Sequence, residues 1–304
     1  MKRKVSKIGP ATLMVSLPSK WAKSRGIKAG DEVEAIEEGD RITFATKLQM
    51  PKKEVTVTLP GVKDFLGRFL CAPYVKGYDV INVRFDEREV YDKILNASKL
   101  LMGFEIVDNT EKSCKLANIS TKLEQNFEVL LSRLFTGGMT FTKEILYRLK
   151  KHDTGIKNLM EYEDTSNRIA LFCRRVLQTT SVSESVYSPT TLYSIVTHLE
   201  EINDSLRHIV EGIGDNEVNL NKETLDLFEK AIKVQEINFK IFNSLIKGNT
   251  TMSQIELFKE HKLIRNQTLQ NINYFKADKF NAYICCWLSQ VIALSHHINE
   301  ELFY

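Results

Sequence analysis

The 304-residue sequence holds no uninterrupted apolar run of the length needed to cross a bilayer. Its longest candidate, residues 284–294, is broken by Ser289 and Gln290. The N-terminus, Met1-Lys2-Arg3-Lys4, is cationic but lacks the apolar stretch of a secretory leader. Together these absences predict a cytoplasmic chain with no membrane insertion. Cysteine is scarce: Cys71, Cys114, Cys173, Cys285 and Cys286 are odd in number, scattered, and form no Cys-x-x-Cys pair. A disulfide framework and a tetrahedral zinc site are therefore not expected, and the five read as packed thiols. Also missing are a nucleophile paired with a base, a glycine-rich phosphate loop and a complete metal triad, so no enzyme is expected.

What is present is ordinary in bulk and uneven in arrangement. Hydrophobic residues make up 43% and charged residues 27%, enough for at least one full core, and the length suits two domains. The net charge of +3 hides an asymmetry. Lys2, Arg3, Lys4, Lys7, Lys20, Lys23, Arg25 and Lys28 all precede the first acid, Asp31, while the rest is close to neutral. A basic end on a balanced body is the distribution expected of a protein that touches a polyanion at that end.

That end is patterned rather than tail-like. Leu13, Val15 and Leu17 alternate with Thr12, Met14 and Ser16, and Gly9-Pro10 marks a turn, so 4–8 and 11–17 read as a hairpin. Pro18-Ser19 opens a short helix at 20–25 that Gly26 closes. Ala29-Gly30-Asp31 leads into a second hairpin, 32–37 with 41–45, joined by Glu38-Gly39-Asp40. A unit this short cannot cover its own apolar strand faces. Without a disulfide or metal, pairing with a second chain is the remedy. A connector at 47–53 containing Pro51 follows, then a strand at 54–59 before Pro60-Gly61. Next come a helix at 62–75, a strand at 79–84, a helix at 87–102 and strands at 104–108 and 113–118. From 122 onward helices are predicted at 122–151, 154–180, 189–212, 222–247, 251–275 and 279–302. Their breaks fall at Asp153-Thr154-Gly155, 181–189, 212–219, Gly248-Asn249 and 276–278. Leu192, Ile195, Leu199, Ile202, Leu206, Ile209 and Ile213 form the buried stripe of the third helix.

The N-terminal order of strand, strand, short helix, strand, strand resembles the swapped-hairpin domains of the AbrB/SpoVT/MazE group. The residues that carry the likeness are Lys4-Val5-Ser6-Lys7-Ile8-Gly9, Leu13-Met14-Val15-Ser16-Leu17-Pro18, Trp21 and Gly26-Ile27-Lys28-Ala29-Gly30-Asp31-Glu32-Val33. They cover about a seventh of the chain. The resemblance implies that two chains exchange hairpins into one barrel and present a basic face to double-stranded DNA. Arg3, Lys4, Lys7, Lys20, Lys23 and Arg25 fall where that face would be, with the arginines better suited to bidentate contacts. The resemblance also covers antitoxins, whose usual short, disordered tails differ from the long helical region here.

In the helical part, Glu161-Tyr162-Glu163-Asp164-Thr165-Ser166-Asn167-Arg168 and Glu200-Glu201-Ile202-Asn203-Asp204 resemble the E/D-x-x-x-D signatures of PhoU-like phosphate-regulation proteins. With the head and the Tyr74-Val75-Lys76-Gly77-Tyr78-Asp79 segment, the chain looks like archaeal-type phosphate uptake regulators. Acids at i and i+4 share a helix face, and two such pairs can converge as hard oxygen ligands. Wheel positions set Glu163, Asn167, Glu200 and Asp204 off the apolar stripes, towards a surface or groove. Asn167 stands where the family has Asp, and the second bundle carries Asn266-Gln267 and Ser289-Gln290 instead of acids. Two readings follow: one weakened site for a divalent metal or iron on Glu163, Glu200 and Asp204, or ion pairs with Arg168 and Arg207. His296 with Glu300 reads as a solvated helix end, and for phosphate the candidates are Arg174 and Arg175 or a helix N-terminus, with no pocket selected by the sequence.

The expected fold is thus α+β multidomain. It comprises a swapped-hairpin β-barrel head (1–48), a short α+β connecting segment (54–120) and an all-α, PhoU-like tail of two three-helix bundles (121–304). The expected function is a homodimeric transcriptional regulator of phosphate uptake. The alternative is a dimeric accessory that binds no DNA and acts on a phosphate transporter component or signalling protein.

Overall fold

The computed structural model describes residues 3–10, 12–38, 41–45, 52–59, 66–120, 127–179, 187–246, 252–275 and 278–303. Turns expected at Gly39-Asp40, Pro60-Gly61 and Gly248-Asn249 lie outside the described residues, as do most of the connector and the expected helix starts at 62–65 and 122–126. The chain divides into two compact units, Met1–Lys52 and Lys53–Tyr304.

In the first unit, β1 (Val5–Ile8) and β2 (Thr12–Val15) pair antiparallel through a turn in which Gly9 adopts φ +73°. Helix α1 (Ser19–Ser24) begins after Pro18 and stops in a complete Schellman motif. Gly26 sits at φ +68°, its N–H reaches the Lys23 carbonyl at 3.2 Å, and the Ile27 N–H reaches the Ala22 carbonyl at 3.0 Å. The Asp31 carboxylate accepts the Lys28 N–H at 2.7 Å and fixes the next turn. β3 (Glu34–Glu38) pairs antiparallel with β4 (Arg41–Ala45). This second hairpin opens two residues later than expected, because 28–33 are spent on that turn.

The second unit starts with a four-stranded sheet in the order β5-β6-β8-β7. β5 (Glu54–Leu59) lies parallel to β6 (Val80–Phe85), so the chain must cross over between them, which it does through α2 (Leu66–Val75). After α3 (Arg88–Ser98), β7 (Phe104–Asn109) and β8 (Ser113–Asn118) form an antiparallel hairpin. β8 also pairs with β6. Ile81, Val83 and Phe85 alternate onto the face that α2 and α3 cover with Leu66, Leu70, Tyr74, Val90 and Ile94. The helix expected to reach 102 ends at Ser98. There the N–H groups of Lys99, Leu100 and Leu101 tighten to i−3 carbonyls, and Gly103 turns at φ +81°.

The remainder is helical: α4 (Phe127–Lys150), α5 (Met160–Thr179), α6 (Pro189–Ile213), α7 (Lys222–Ile246), α8 (Met252–Gln270) and α9 (Lys279–Glu301). Two predicted helices are shorter than expected. Before α5, the Asp153 carboxylate takes the Gly155 N–H, and Thr154–Leu159 becomes a 3-10 turn. After α8, the Asn271 side chain takes the Asn273 N–H, and Ile272–Phe275 does the same. α4, α5 and α6 pack together, α7 packs on α8 and α9, and α6·α9 and α4·α7 contacts join the two sets. Buried side chains from α4, α5, α6, α7 and α9 form one continuous core, against which half-buried Leu257 and Ile264 of α8 pack. All seven residues of the α6 stripe are at most 5% exposed. Among the described residues no helix is long and apolar enough to cross a membrane.

Candidate nucleic-acid interface and the carboxylate cluster

The head exposes what a core would hide. None of its described residues is buried, and Val5, Ile8, Leu13, Met14, Val15 and Ile42 are 43–69% exposed. The register sets Val5 opposite Val15 and Lys7 opposite Leu13, so the hairpin has one largely aliphatic face interrupted by Lys7. Lys7 therefore lies on the side of Val5, Leu13 and Val15, while Arg3 and Lys4 precede the strand. On α1, Lys20 and Lys23 are one turn apart and exposed, and half-buried Arg25 caps the helix. The six cations therefore divide among the approach to β1, one hairpin face and the helix with its cap.

The three predicted metal ligands are set apart by guanidinium groups. Glu163 is only 8% exposed, against the expectation of a groove position, because Met160–Thr179 turns that side towards α6. Its Oε1 accepts from Asn167 Nδ2 at 2.6 Å and faces Arg207 Nε at 3.7 Å. Asp204 meets the same Arg207 Nε at 3.9 Å, and Arg207 also holds Glu211 at 2.8 Å. Glu200 turns away to Arg174, 2.7 Å from its Nη2. Burial pushes the Glu163 and Asp204 carboxyls up from their ordinary values, with the Glu200 charge adding to the shift at Asp204. A divalent cation here would have to displace Arg174 and Arg207. Among the described residues no group of three or more His, Cys, Asp or Glu stands close enough to hold a metal. The donor set suits guanidinium, not a hard cation.

The arginines read as phosphate binders are also committed. Arg175 Nη1 donates to the carbonyls of Tyr74 (2.7 Å) and Tyr78 (2.8 Å), and Nη2 to Asp79 Oδ1 (3.2 Å). Its guanidinium carbon lies 5.1 Å from the ring centroids of both Tyr74 and Phe104. The Tyr74–Asp79 segment is therefore the socket by which α5 is fixed to the α/β part. Gly77, at φ +80°, lets the socket close, since a Cβ there would stand 2.3 Å from Thr179 Cγ2.

His296 is likewise not at a solvated helix end. It is 6% exposed, 3.4 Å from Glu300, and stacks on His261 at 5.7 Å between ring centroids. His261 is fully buried, and neither ring nitrogen meets a partner in hydrogen-bonding geometry. Burial beside His296 pushes its pKa down to about 3. Sequence spacing carried no hint of this pair, because His261 and His296 lie on different helices. The thiols of Cys71 and Cys114 are pushed up to about 11 and that of Cys173 to about 12 by burial, as unreactive packed groups. Cys286 is exposed, against the expectation of packing.

Comparison with curated proteins gave no match, and comparison with solved structures gave none either. A family described as antidote-toxin recognition MazE, bacterial antitoxin, matches residues 7–43, a span running from β1 to β4. The head is therefore similar to a MazE-type domain, and this likeness falls within the first compact unit alone.

Proposed function

We propose that the protein is a homodimeric DNA-binding regulator of phosphate uptake, in which a MazE/AbrB-type head contacts DNA and a PhoU-like pair of three-helix bundles serves as sensor or partner-binding domain. The observation that carries the reading is a head with six exposed large apolar side chains and no buried residue among those described. Apolar surface of this extent in so small a unit calls for a second copy. A MazE-type antitoxin domain over residues 7–43 and the cations of β1 and α1 support the DNA-binding half. The phosphate connection rests on the PhoU-like signatures of α5 and α6, and the proposal routes nothing through a metal. A toxin partner, as the family's description suggests for its members, fits less well with a tail folded around its own core.

One observation favours the accessory reading: Lys7 shares the face of Leu13 and Val15, which a partner chain would cover. A gel shift with salt titration separates the two. A DNA-binding head gives log affinity falling steeply with log salt, about 0.9 per phosphate neutralised. Lys20→Ala and Lys23→Ala each flatten that slope by about 0.9 per chain engaged. Retention of promoter DNA by a chain lacking residues 1–50 would overturn the assignment. A flat salt dependence in the intact dimer would favour the accessory.

A further inference from the structure

α4 and α5 line a cavity of about 380 Å³ that is open to solvent on one side, within the range that takes small ligands. Arg133, Gly137 and Thr140 line it from α4, and Glu161, Thr165 and Ser166 from α5. Each set follows helical spacing, so one face of each helix builds one wall. The acidic motif of α5 is thus divided. Glu163 and Asn167 turn to Arg207, while Glu161 and Thr165 serve the cavity.

Two adjacent glycines behave differently here. A Cβ at Gly138 would stand 3.2 Å from Gln235 Oε1 and 3.4 Å from Asn203 Nδ2, so that glycine permits close helix packing. A Cβ at Gly137 would meet nothing within 4 Å. Gly137 keeps the cavity open rather than the helices close.

The two charged side chains of the lining are uncommitted among the described residues. Arg133 and Glu161 are exposed and opposite in charge, and neither pairs with the other or with any other described residue. Ser166 is 5% exposed, and its hydroxyl has no hydrogen-bond partner. Thr140 donates to the Thr136 carbonyl at 2.8 Å, which leaves its oxygen only an acceptor's role towards the cavity. Successive helices with a short connection run antiparallel. Glu161 and Thr140 therefore sit at the end nearest the α4–α5 connection, and Arg133 at the other, a helical rise of roughly 10 Å away. One end is built of acceptors and an anion, the other around a cation.

We propose that this cavity binds a small zwitterion of amino-acid to dipeptide size. Its carboxylate lies on Arg133, its ammonium on Glu161 and Thr140, and its polar middle against Thr165 and Ser166. The ring of Tyr162, stacked on Phe141 with centroids 5.4 Å apart, forms a rigid side wall. Free phosphate is a poor match, since it would meet one guanidinium and an opposing carboxylate. The site stands on its own chemistry whether or not the head binds DNA.

The test is isothermal titration of the full-length protein with each of the twenty amino acids and with Gly-Gly and Ala-Ala, with inorganic phosphate as control. At least one zwitterion is expected to bind once per chain, and its N-acetylated form not to bind. Arg133→Ala and Glu161→Gln, both at exposed positions, are expected to weaken binding at least 10-fold each. Gly137→Leu is expected to abolish it while leaving the circular dichroism unchanged. No saturable binding of any probe at 10 mM overturns the proposal, an order-of-magnitude ceiling of about 3 kcal/mol in affinity. So does binding that survives Gly137→Leu, or phosphate binding that outlasts both charge variants. DNA retention measured on the same variants reports on the head separately.

Discussion

Arg175 shows how much one side chain can hold. Its guanidinium satisfies two carbonyls and a carboxylate and fills the space between two rings. Arg175→Ala is expected to cost about 3 kcal/mol in urea unfolding, with Asp79's partial exposure keeping it from more. Arg175→Lys is not expected to restore it, because an ammonium cannot serve both carbonyls and stack between the rings. Gly77→Ala is expected to cost about 1–2 kcal/mol for the left-handed backbone and more for the contact with Thr179. Thr179→Ser removes the offending Cγ2 and should recover only the contact part, a coupling that a double-mutant cycle reads directly. His261 belongs to the same scale. Because the folded chain binds its proton less well than the unfolded chain, stability is full above about pH 6.5 and falls from there towards pH 3. The slope from this group is about 1.4 kcal/mol per pH unit, and His261→Gln should flatten it; an unchanged acid transition would assign the loss elsewhere. Arg175 was visible in the sequence as a cation after an acidic motif, but its partners lie about a hundred residues away, out of reach of spacing arguments.

At the scale of elements, periodicity found the core-facing stripe of α6, which α4, α5 and α9 together cover. The α6 stripe is buried along its whole length, and Ile202→Ala, fully enclosed, is expected to cost about 2–5 kcal/mol in thermal or urea unfolding. Helix ends at α5 and α8 were less legible, since they were decided by local side-chain bonds: Asp153 on Gly155 and Asn271 on Asn273. The wheel misplaced Glu163 because α6 brings Arg207 against that side of α5, a neighbour that the period of α5 alone does not reveal. Polar residues inside the helical core escaped notice for the same reason. Gln235 donates to Thr142, Asn238 to the Ser295 carbonyl and Asn299 to Asn238, each pairing groups from separate helices. In isolation each of these amides reads as surface; buried, each is retained because its partner satisfies it.

At the scale of the molecule, the two compact units differ in how they are stabilised. Lys53–Tyr304 closes around its own cores, while among the described residues of Met1–Lys52 none is buried. Val15→Asp places a charge on the exposed aliphatic face of the head. In sedimentation it is expected to shift the full-length chain from dimer to monomer, and with that to lose DNA retention. A dimer that persists would move the subunit contact out of the head. By itself, the sequence determined the hairpins and turns of the head, the six long helices and the basic N-terminal charge. Each of these follows from residues within a few positions of one another, where backbone geometry and side-chain period act directly. Only the tertiary structure decided that Arg174 and Arg207 occupy the carboxylates, that Arg175 belongs to the Tyr74–Asp79 socket, and that Gly137 faces open space while Gly138 faces a neighbouring helix. Those outcomes depend on which distant groups arrive at a given point, and local period carries no information about that.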